Sequence, residues 1–323
     1  MEVYHPGPHK PSLVQWRCFD VQWCCWLAEV TMNNSSHLLG LTLADLLFSA
    51  LVIGPAVVGY WRGTWLLTEY YVYPDNMTLS SWISLAIGCS VHLVLALVQG
   101  VLDKWVTKET LGVVKFLVVS RVYTAVFSFA CVSSWRGVWQ TLEHYTGTEL
   151  ISVLITTTAA LLALLVMRTM RNLTSPPFAV VLDLAQGYFK FPTMFRVQPL
   201  LFVLQLQEPG AKDPTLHALD CVFSVLVVGS LVVIVWRGTW GILDHVLLPN
   251  NPDMSAWISL GIGYGVTAAG FALQVPARIA CEKLSGAFRI IVADAYQFFC
   301  FCGTVNLWRG VWNLLNIYLL PGI

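Results

Sequence analysis

Arginine and acidic residues recur together at a fixed spacing in four places along the chain. Each place carries the motif Trp-Arg-Gly-x-Trp, which comprises Trp61, Arg62, Gly63 and Trp65; Trp135, Arg136, Gly137 and Trp139; Trp236, Arg237, Gly238 and Trp240; and Trp308, Arg309, Gly310 and Trp312. The residues seven positions after the arginines are Glu69, Glu143, Asp244 and Asn316. Three copies therefore combine an arginine with an acid two helical turns further on, which is a pattern suited to ion pairing.

Three interpretations of this motif remain open at the level of sequence. The tryptophans could form an interfacial belt while the arginines extend to water. Alternatively, the arginines could point inward and tie neighbouring helices together through Glu69, Glu143 and Asp244, with the glycine allowing close helix approach. The arginines could also bind an anion or another ligand.

A second polar set lies near the opposite ends of the motif-bearing segments. Asp45 and Asp220 each precede their motif by 16 residues, and Arg121 and Asp294 precede theirs by 14. Ionisable groups inside a membrane are costly unless they are paired, and they often mark transport pathways. The set could therefore line an inner vestibule, or it could lie solvated among lipid headgroups.

The sequence contains no motif that predicts catalysis. We find no nucleophile elbow, phosphate-binding loop, metal-binding helix or dinucleotide-binding turn, and the nine cysteines have no zinc-site spacing. We therefore expect no enzymatic activity, no cofactor and no metal. The zero net charge also gives no indication of nucleic-acid binding.

Composition places these residues in an all-α, polytopic membrane protein whose first partner is the lipid bilayer. Hydrophobic residues make up 57% of the chain, charged residues make up only 11%, and the mean hydropathy is +0.68. Seven segments are long and apolar enough to predict transmembrane helices. They are residues 38–60, 82–102, 111–134, 150–167, 216–236, 257–275 and 286–308. Helix-compatible sequence continues past each motif to a breaker, namely Pro74, Gly147, Pro249 or Pro321.

The second pair of motifs repeats the first at an offset of about 175 residues, which predicts an internal duplication with two parallel repeats. We divide the chain into a cytoplasmic N-terminal segment (1–37), repeat A with four helices (38–171), a cytoplasmic connector (172–215) and repeat B with three helices (216–323). The last helix of repeat A has no counterpart in repeat B. A small cytoplasmic β-hairpin is plausible within the connector.

The distribution of positive charge predicts the orientation. Lysines and arginines outside the motifs concentrate on one side of the predicted helices, which is then cytoplasmic, together with the N-terminus. The four motifs lie at the outer boundary. Asn76 is the one glycosylation sequence in an outer loop, so we expect a plasma-membrane glycoprotein that carries its glycan there.

Four Trp-Arg-Gly-x-Trp copies on a duplicated multi-span chain resemble the Fuseless family of invertebrate multi-pass membrane proteins. The resemblance implies a presynaptic location and a role in organising or supporting neurotransmission, with presynaptic membrane or channel proteins as partners. It also implies eight helices, so a shortened isoform or a fragment would account for the seven predicted here.

Two classes of function follow from these features. A non-enzymatic membrane scaffold needs a rigid bundle and exposed loops, whereas a channel or secondary transporter needs a continuous polar pathway. An outer ring of arginines combined with an inner surplus of Asp45, Asp220 and Asp294 would set opposed fields along one pathway. This charge pattern favours the scaffold over simple ion conduction.

Overall fold

The fold is known from a computed structural model that describes residues 40, 43–44, 46–179, 188–189 and 214–319. The N-terminal segment predicted at 1–37, Asp45 and most of the connector lie outside the described residues. The chain divides into two units at Leu47 and Phe48, and the described residues of the first unit are helical. The structure below is that of the second unit.

Helices account for most of the described chain. The α-helices are α1 (Gly54–Tyr71), α2 (Met77–Trp105), the short α3 (Lys108–Leu111), α4 (Val113–Thr146), α5 (Leu150–Val166), the short α6 (Pro214–Val222), α7 (Gly229–Val246), α8 (Pro252–Lys283) and α9 (Gly286–Tyr318). A π-helical turn leads into α1 at Ser49–Ile53 and another leads into α7 at Phe223–Val228. The described residues contain no strand, and the predicted β-hairpin lies largely outside them.

Among the described residues, six helices are long and apolar enough to cross a membrane, as expected for a multi-pass membrane protein. These spans are Leu46–Tyr71, Met77–Trp105, Val113–Thr146, Thr215–Val246, Pro252–Lys283 and Gly286–Tyr318. The seventh predicted segment forms α5, an apolar helix of 17 residues, just short of the roughly 20 residues that usually span a bilayer.

The motif-bearing helices continue through their motifs and end where the sequence supplies a breaker. Gly147 ends α4 with a φ of 72°, which is accessible to glycine because it lacks a Cβ. Helices α2 and α8, which follow α1 and α7, begin in the same way as each other. The Oδ1 atoms of Asn76 and Asn251 cap them by accepting a hydrogen bond from the backbone N–H three residues later.

Four central helices, α1, α4, α7 and α9, contact one another in a closed cycle, and three peripheral helices pack against them. Helix α2 packs along α4, α5 along α7, and α8 along α9. The closest approaches use glycine, because a Cβ at Gly88 or Gly263 would overlap the backbone of Ser134 or Leu307. The motifs therefore lie on the four helices that enclose the axis of the bundle.

Candidate functional site

The first tryptophans of the four motifs meet on the bundle axis and form a closed ring. Successive indole centroids are 5.1 Å apart for Trp61 and Trp135, 5.4 Å for Trp135 and Trp236, 5.3 Å for Trp236 and Trp308, and 5.4 Å for Trp308 and Trp61. All four contacts are edge-on. Such aromatic pairs contribute about 0.5–1.5 kcal/mol each beyond their buried area. We call this set the first tryptophan ring.

The second tryptophans of the motifs form a matching ring one helical turn further along. Its centroid distances are 6.0 Å for Trp65 and Trp139, 5.8 Å for Trp139 and Trp240, 6.1 Å for Trp240 and Trp312, and 5.8 Å for Trp312 and Trp65. Together with Asn313, the two rings line a cavity of about 220 Å³. The spacing of four residues within each motif, which keeps both tryptophans on one helix face, thus produces two stacked layers.

The start of the connector packs beside the first tryptophan ring, against α7 and α9. The Nε1–H of Trp236 donates to the carbonyl of Leu173 at 3.1 Å, and that of Trp308 donates to the carbonyl of Pro176 at 3.0 Å. Leu173 is 1% exposed and belongs to the same core cluster as both tryptophans. Phe178 continues this packing against Gly270 in α8. The start of the connector therefore covers the part of the first ring that α7 and α9 contribute.

The motif arginines point away from the axis and reach the neighbouring central helix. The Nε of Arg309 lies 2.8 Å from Oδ1 of Asp244 in α7, and the Nε of Arg62 donates to Oδ1 of Asn316 in α9 at 2.6 Å. Arg237 likewise reaches the preceding central helix, α4, with its Nε 3.9 Å from Oε1 of Glu143. Each of these contacts joins a motif arginine to the residue seven positions after the arginine of the preceding motif.

Arg136 also interacts with the acid of the preceding motif, because Glu69 of α1 acts on it electrostatically. In addition, it donates hydrogen bonds to a peripheral helix. Its Nη1 donates to Oγ of Ser84 at 2.6 Å, and its Nη2 donates to Oγ of Ser80 at 2.9 Å, both in α2. Arg309 repeats this pattern on α8, where its Nη2 donates to Oγ of Ser255 at 2.8 Å.

Nη2 of Arg237 donates instead to the carbonyl of Gly147, the residue that ends α4. Two arginines, Arg136 and Arg309, therefore contact both a central and a peripheral neighbour. Charge-assisted hydrogen bonds of this kind are about twice as strong as neutral ones.

We call the four buried motif arginines the arginine shell. Glu69 and Glu143 link this shell to the second tryptophan ring. Oε1 of Glu143 accepts a hydrogen bond of 2.7 Å from Nε1 of Trp139, and Oε1 of Glu69 accepts bonds from Nε1 of Trp65 at 3.1 Å and from Nε2 of Gln140 at 2.7 Å. Glu143 and Asp244 also line a second cavity of about 160 Å³ between α4 and α7. The carboxylates thus fix both the indole orientation and the neighbouring helix.

All four arginines are buried, with exposed fractions of 0–3%. This geometry corresponds to the interlocking interpretation of the motif, because a snorkelling arginine would expose its guanidinium. Three motif glycines, Gly137, Gly238 and Gly310, lie against peripheral helices, whereas Gly63 has no heavy atom within 4 Å of an added Cβ.

The second polar set is placed only in part by the described residues. Asp220 is 3% exposed and accepts a hydrogen bond from Ser224 at 3.3 Å, while the guanidinium of Arg121 lies over the ring of Tyr188 at 6.0 Å. Asp294 is half-buried, in electrostatic range of Arg168. Asp45 lies outside the described residues, so the predicted convergence of the four groups stays a prediction.

Sequence reasoning missed the serine partners of the arginines and the connector residues below the first ring. Ser80 and Ser255 share the offset of 175 residues, so the duplication could have identified them. No comparable signal marks Leu173 or Pro176, which contribute backbone carbonyls that any residue would supply. Asn76 lies exposed at the start of α2 with its side chain engaged as the helix cap.

Comparison with known proteins supports the resemblance found in the motifs. No curated protein and no solved structure gave a significant match to the chain. The family model for Fuseless matches residues 40–322, which include all four motifs, both tryptophan rings and the arginine shell. This multi-pass membrane protein therefore belongs to the Fuseless family.

Proposed function

We propose that this protein is a non-enzymatic scaffold of the plasma membrane that organises or supports presynaptic neurotransmission. Membership of the Fuseless family motivates the synaptic assignment. Presynaptic membrane or channel proteins would be its partners. The observation that carries the proposal is the pair of stacked tryptophan rings, because a bundle whose axis is crossed by two layers of indoles in mutual contact suits a rigid framework better than a transport pathway.

We also propose a finer architecture of seven spans in two parallel repeats, with the N-terminus in the cytoplasm. Matched local details at an offset of 175 residues support it. Tyr73 and Leu248 both have positive φ, near 50°, Asn76 and Asn251 both cap a helix, and π-helical turns precede both α1 and α7. The 17-residue α5 would then be the seventh span.

The blocked axis gives a physical reason to expect no conduction. An ion on the axis would have to displace indoles that touch both neighbours in each ring. The indole rings provide few polar groups to replace the hydration shell of an ion. A scaffold needs only that these contacts remain in place.

A flux assay separates the proposal from its alternative. We expect liposomes that contain the purified protein to show the same ion and small-solute flux as protein-free liposomes. Flux that the Asp220→Asn variant abolishes would contradict the scaffold and establish transport. The change is nearly isosteric, so a loss of flux with an unchanged melting temperature would report on charge rather than on folding.

The alternative is a channel or secondary transporter built on the duplicated helices. Its support is Asp220, which is 3% exposed within a candidate span, a position at which carboxylates often serve transport. The 220 Å³ cavity could be an intermediate site in such a pathway. Transport would then require the rings to open during each cycle.

A further inference from the structure

The cavity of about 160 Å³ between α4 and α7 is lined by charges of both signs. Its charged lining residues are Glu143, Arg237 and Asp244, and the indoles of Trp139 and Trp240 lie beside them. These five side chains come from two consecutive motifs and their acids. We call this space the α4–α7 cavity.

The α4–α7 cavity combines a buried cation with acids that solvent can reach. The side chain of Arg237 is only 3% exposed, whereas those of Glu143 and Asp244 are 39% and 49% exposed. His245, which also lines the cavity, is exposed. A small solute can therefore enter from the acidic side and approach the guanidinium.

Arg237 is the least satisfied arginine of the shell. Its Nε lies 3.9 Å from Oε1 of Glu143, beyond the roughly 3.2 Å limit of a good hydrogen bond, whereas Nε of Arg309 lies 2.8 Å from Asp244. Nε and Nη1 of Arg237 both have no hydrogen-bond partner among the described residues, against one such nitrogen in Arg62 and one in Arg136. A buried donor without an acceptor is costly, and a bound molecule that supplies an acceptor would remove part of that cost.

The charges around the cavity select the chemical class of such a molecule. An anion would satisfy Arg237 but would also face Glu143 and Asp244, which are in electrostatic range of each other. A cation would satisfy Glu143 but would face Arg237, and Asp244 is already paired with Arg309. Adding an uncompensated charge to a partly buried site is unfavourable. A neutral molecule that carries both a carboxylate and an ammonium group avoids both conflicts.

The volume of the cavity limits the size of the molecule. An apolar cavity of about 150 Å³ holds benzene, so a cavity of about 160 Å³ has room for about six non-hydrogen atoms. Glycine, alanine and serine are of this size. In an α-amino acid the two charged groups are also close together, as are Nε of Arg237 and Oε1 of Glu143 across their gap of 3.9 Å.

We propose that the α4–α7 cavity binds a small zwitterionic α-amino acid. Its carboxylate accepts a hydrogen bond from Nη1 of Arg237, and its ammonium group donates to the carboxylate of Glu143. The indoles of Trp139 and Trp240 complete the site, since tryptophan is the aromatic side chain that best attracts an ammonium group. The inference goes beyond the proposed scaffold function and does not rest on it.

Equilibrium dialysis of the detergent-purified full-length protein against radiolabelled L-alanine tests the proposal. We expect saturable binding that glycine displaces and that acetate or methylammonium, each with only one of the two charges, does not. The Glu143→Gln variant keeps the shape of the side chain and an acceptor for Nε1 of Trp139. It should weaken L-alanine binding at least about tenfold, because the ammonium group loses its charged acceptor.

Glu69→Gln is the matched control. Glu69 is the corresponding acid of the first motif, accepts a hydrogen bond from Nε1 of Trp65 and interacts with Arg136, but it does not line the α4–α7 cavity. This variant should leave L-alanine binding unchanged. Equal weakening by the two variants would overturn the proposal, because the effect would then come from the bundle as a whole. Undiminished binding by Glu143→Gln would overturn it as well.

Gly241→Ala provides a second test that does not depend on the charge. Gly241 and Val153 both line the cavity, and a Cβ at Gly241 would lie 3.4 Å from Cγ1 of Val153, so the methyl group fits and takes up cavity volume. The variant should weaken binding of L-alanine more than binding of glycine. An unchanged preference between the two amino acids would contradict the proposed site. Absence of saturable binding of both to the wild-type protein would mean that the cavity holds only water, and would leave the outcome of the flux assay unaffected.

Discussion

Replacement of Arg136 by alanine should destabilise the bundle strongly, because this arginine of α4 interacts with both central helix α1 and peripheral helix α2. Its side chain is 0% exposed, donates to Ser84 at 2.6 Å and to Ser80 at 2.9 Å, and interacts electrostatically with Glu69. The truncation leaves both serine hydroxyls without this donor and removes the positive charge that interacts with Glu69.

The expected magnitude follows from those losses. Removal of one member of a buried charged network typically costs about 3–5 kcal/mol. A change of 1 kcal/mol shifts the melting temperature of a domain of this size by about 2–4 °C, so Arg136→Ala should melt about 6–20 °C below the wild-type protein. Arg136→Lys keeps the positive charge and loses the planar, multiple-donor geometry of the guanidinium. Its melting temperature should lie between those of Arg136→Ala and the wild-type protein.

Thermal unfolding in detergent measures this difference, with Lys115→Ala as the control on the same helix. Lys115 is exposed in α4, so its removal should change the free energy of unfolding by no more than about 0.5 kcal/mol. Equal melting temperatures for Arg136→Ala and Lys115→Ala would refute the reasoning, because they would show that the arginine shell contributes nothing to cohesion.

Three further predictions test the rings, the glycine contacts and the orientation. Trp236→Ala removes an indole that is 2% exposed and should cost about 3–5 kcal/mol in a denaturation series, whereas Trp105→Ala, at a residue 62% exposed, should have little effect. Gly310→Ala places a Cβ 2.6 Å from Leu260 and should lower the melting temperature, while Gly265→Ala, with open space around it, should maintain or raise it. In a background without native cysteines, Lys104→Cys and Lys283→Cys should react with a membrane-impermeant thiol reagent only after permeabilisation; labelling of intact cells would reverse the predicted orientation.

The motif and its periodicity were sufficient to predict the helices that form the site. Tryptophans four residues apart share a helix face, and the spacing of seven residues from arginine to acid puts the two groups on nearly one face of their own helix. Neither spacing specifies which helix is next to which. The pairing of Arg309 with Asp244 rather than with an acid of another helix depends on the cyclic order of the bundle. That order is a property of the tertiary structure.

Other parts of the site depend on backbone geometry that the sequence does not mark. The carbonyls of Leu173 and Pro176 accept bonds from the first tryptophan ring because the chain after α5 turns back into the bundle. The sequence predicts a connector that begins at residue 172, and nothing in it indicates such a path. The serine partners were predictable in principle, since Ser80 and Ser255 are paired by the duplication, but only once the arginines were known to point toward α2 and α8.

Two irregular features of the bundle, the neutral Asn316 in place of an acid and the uncovered motif glycine Gly63, lie at the same junction of the cycle. Each arginine reaches the preceding central helix, so the contact between Arg62 of α1 and α9 closes the cycle. At this junction Asn316 replaces the acid of the other copies, so Nε of Arg62 donates to a neutral acceptor. Gly63, next to Arg62, has no heavy atom within 4 Å of an added Cβ, unlike the other three motif glycines. Among the described residues, this junction therefore has neither the acid opposite the arginine nor the peripheral helix against the motif glycine that the other three have.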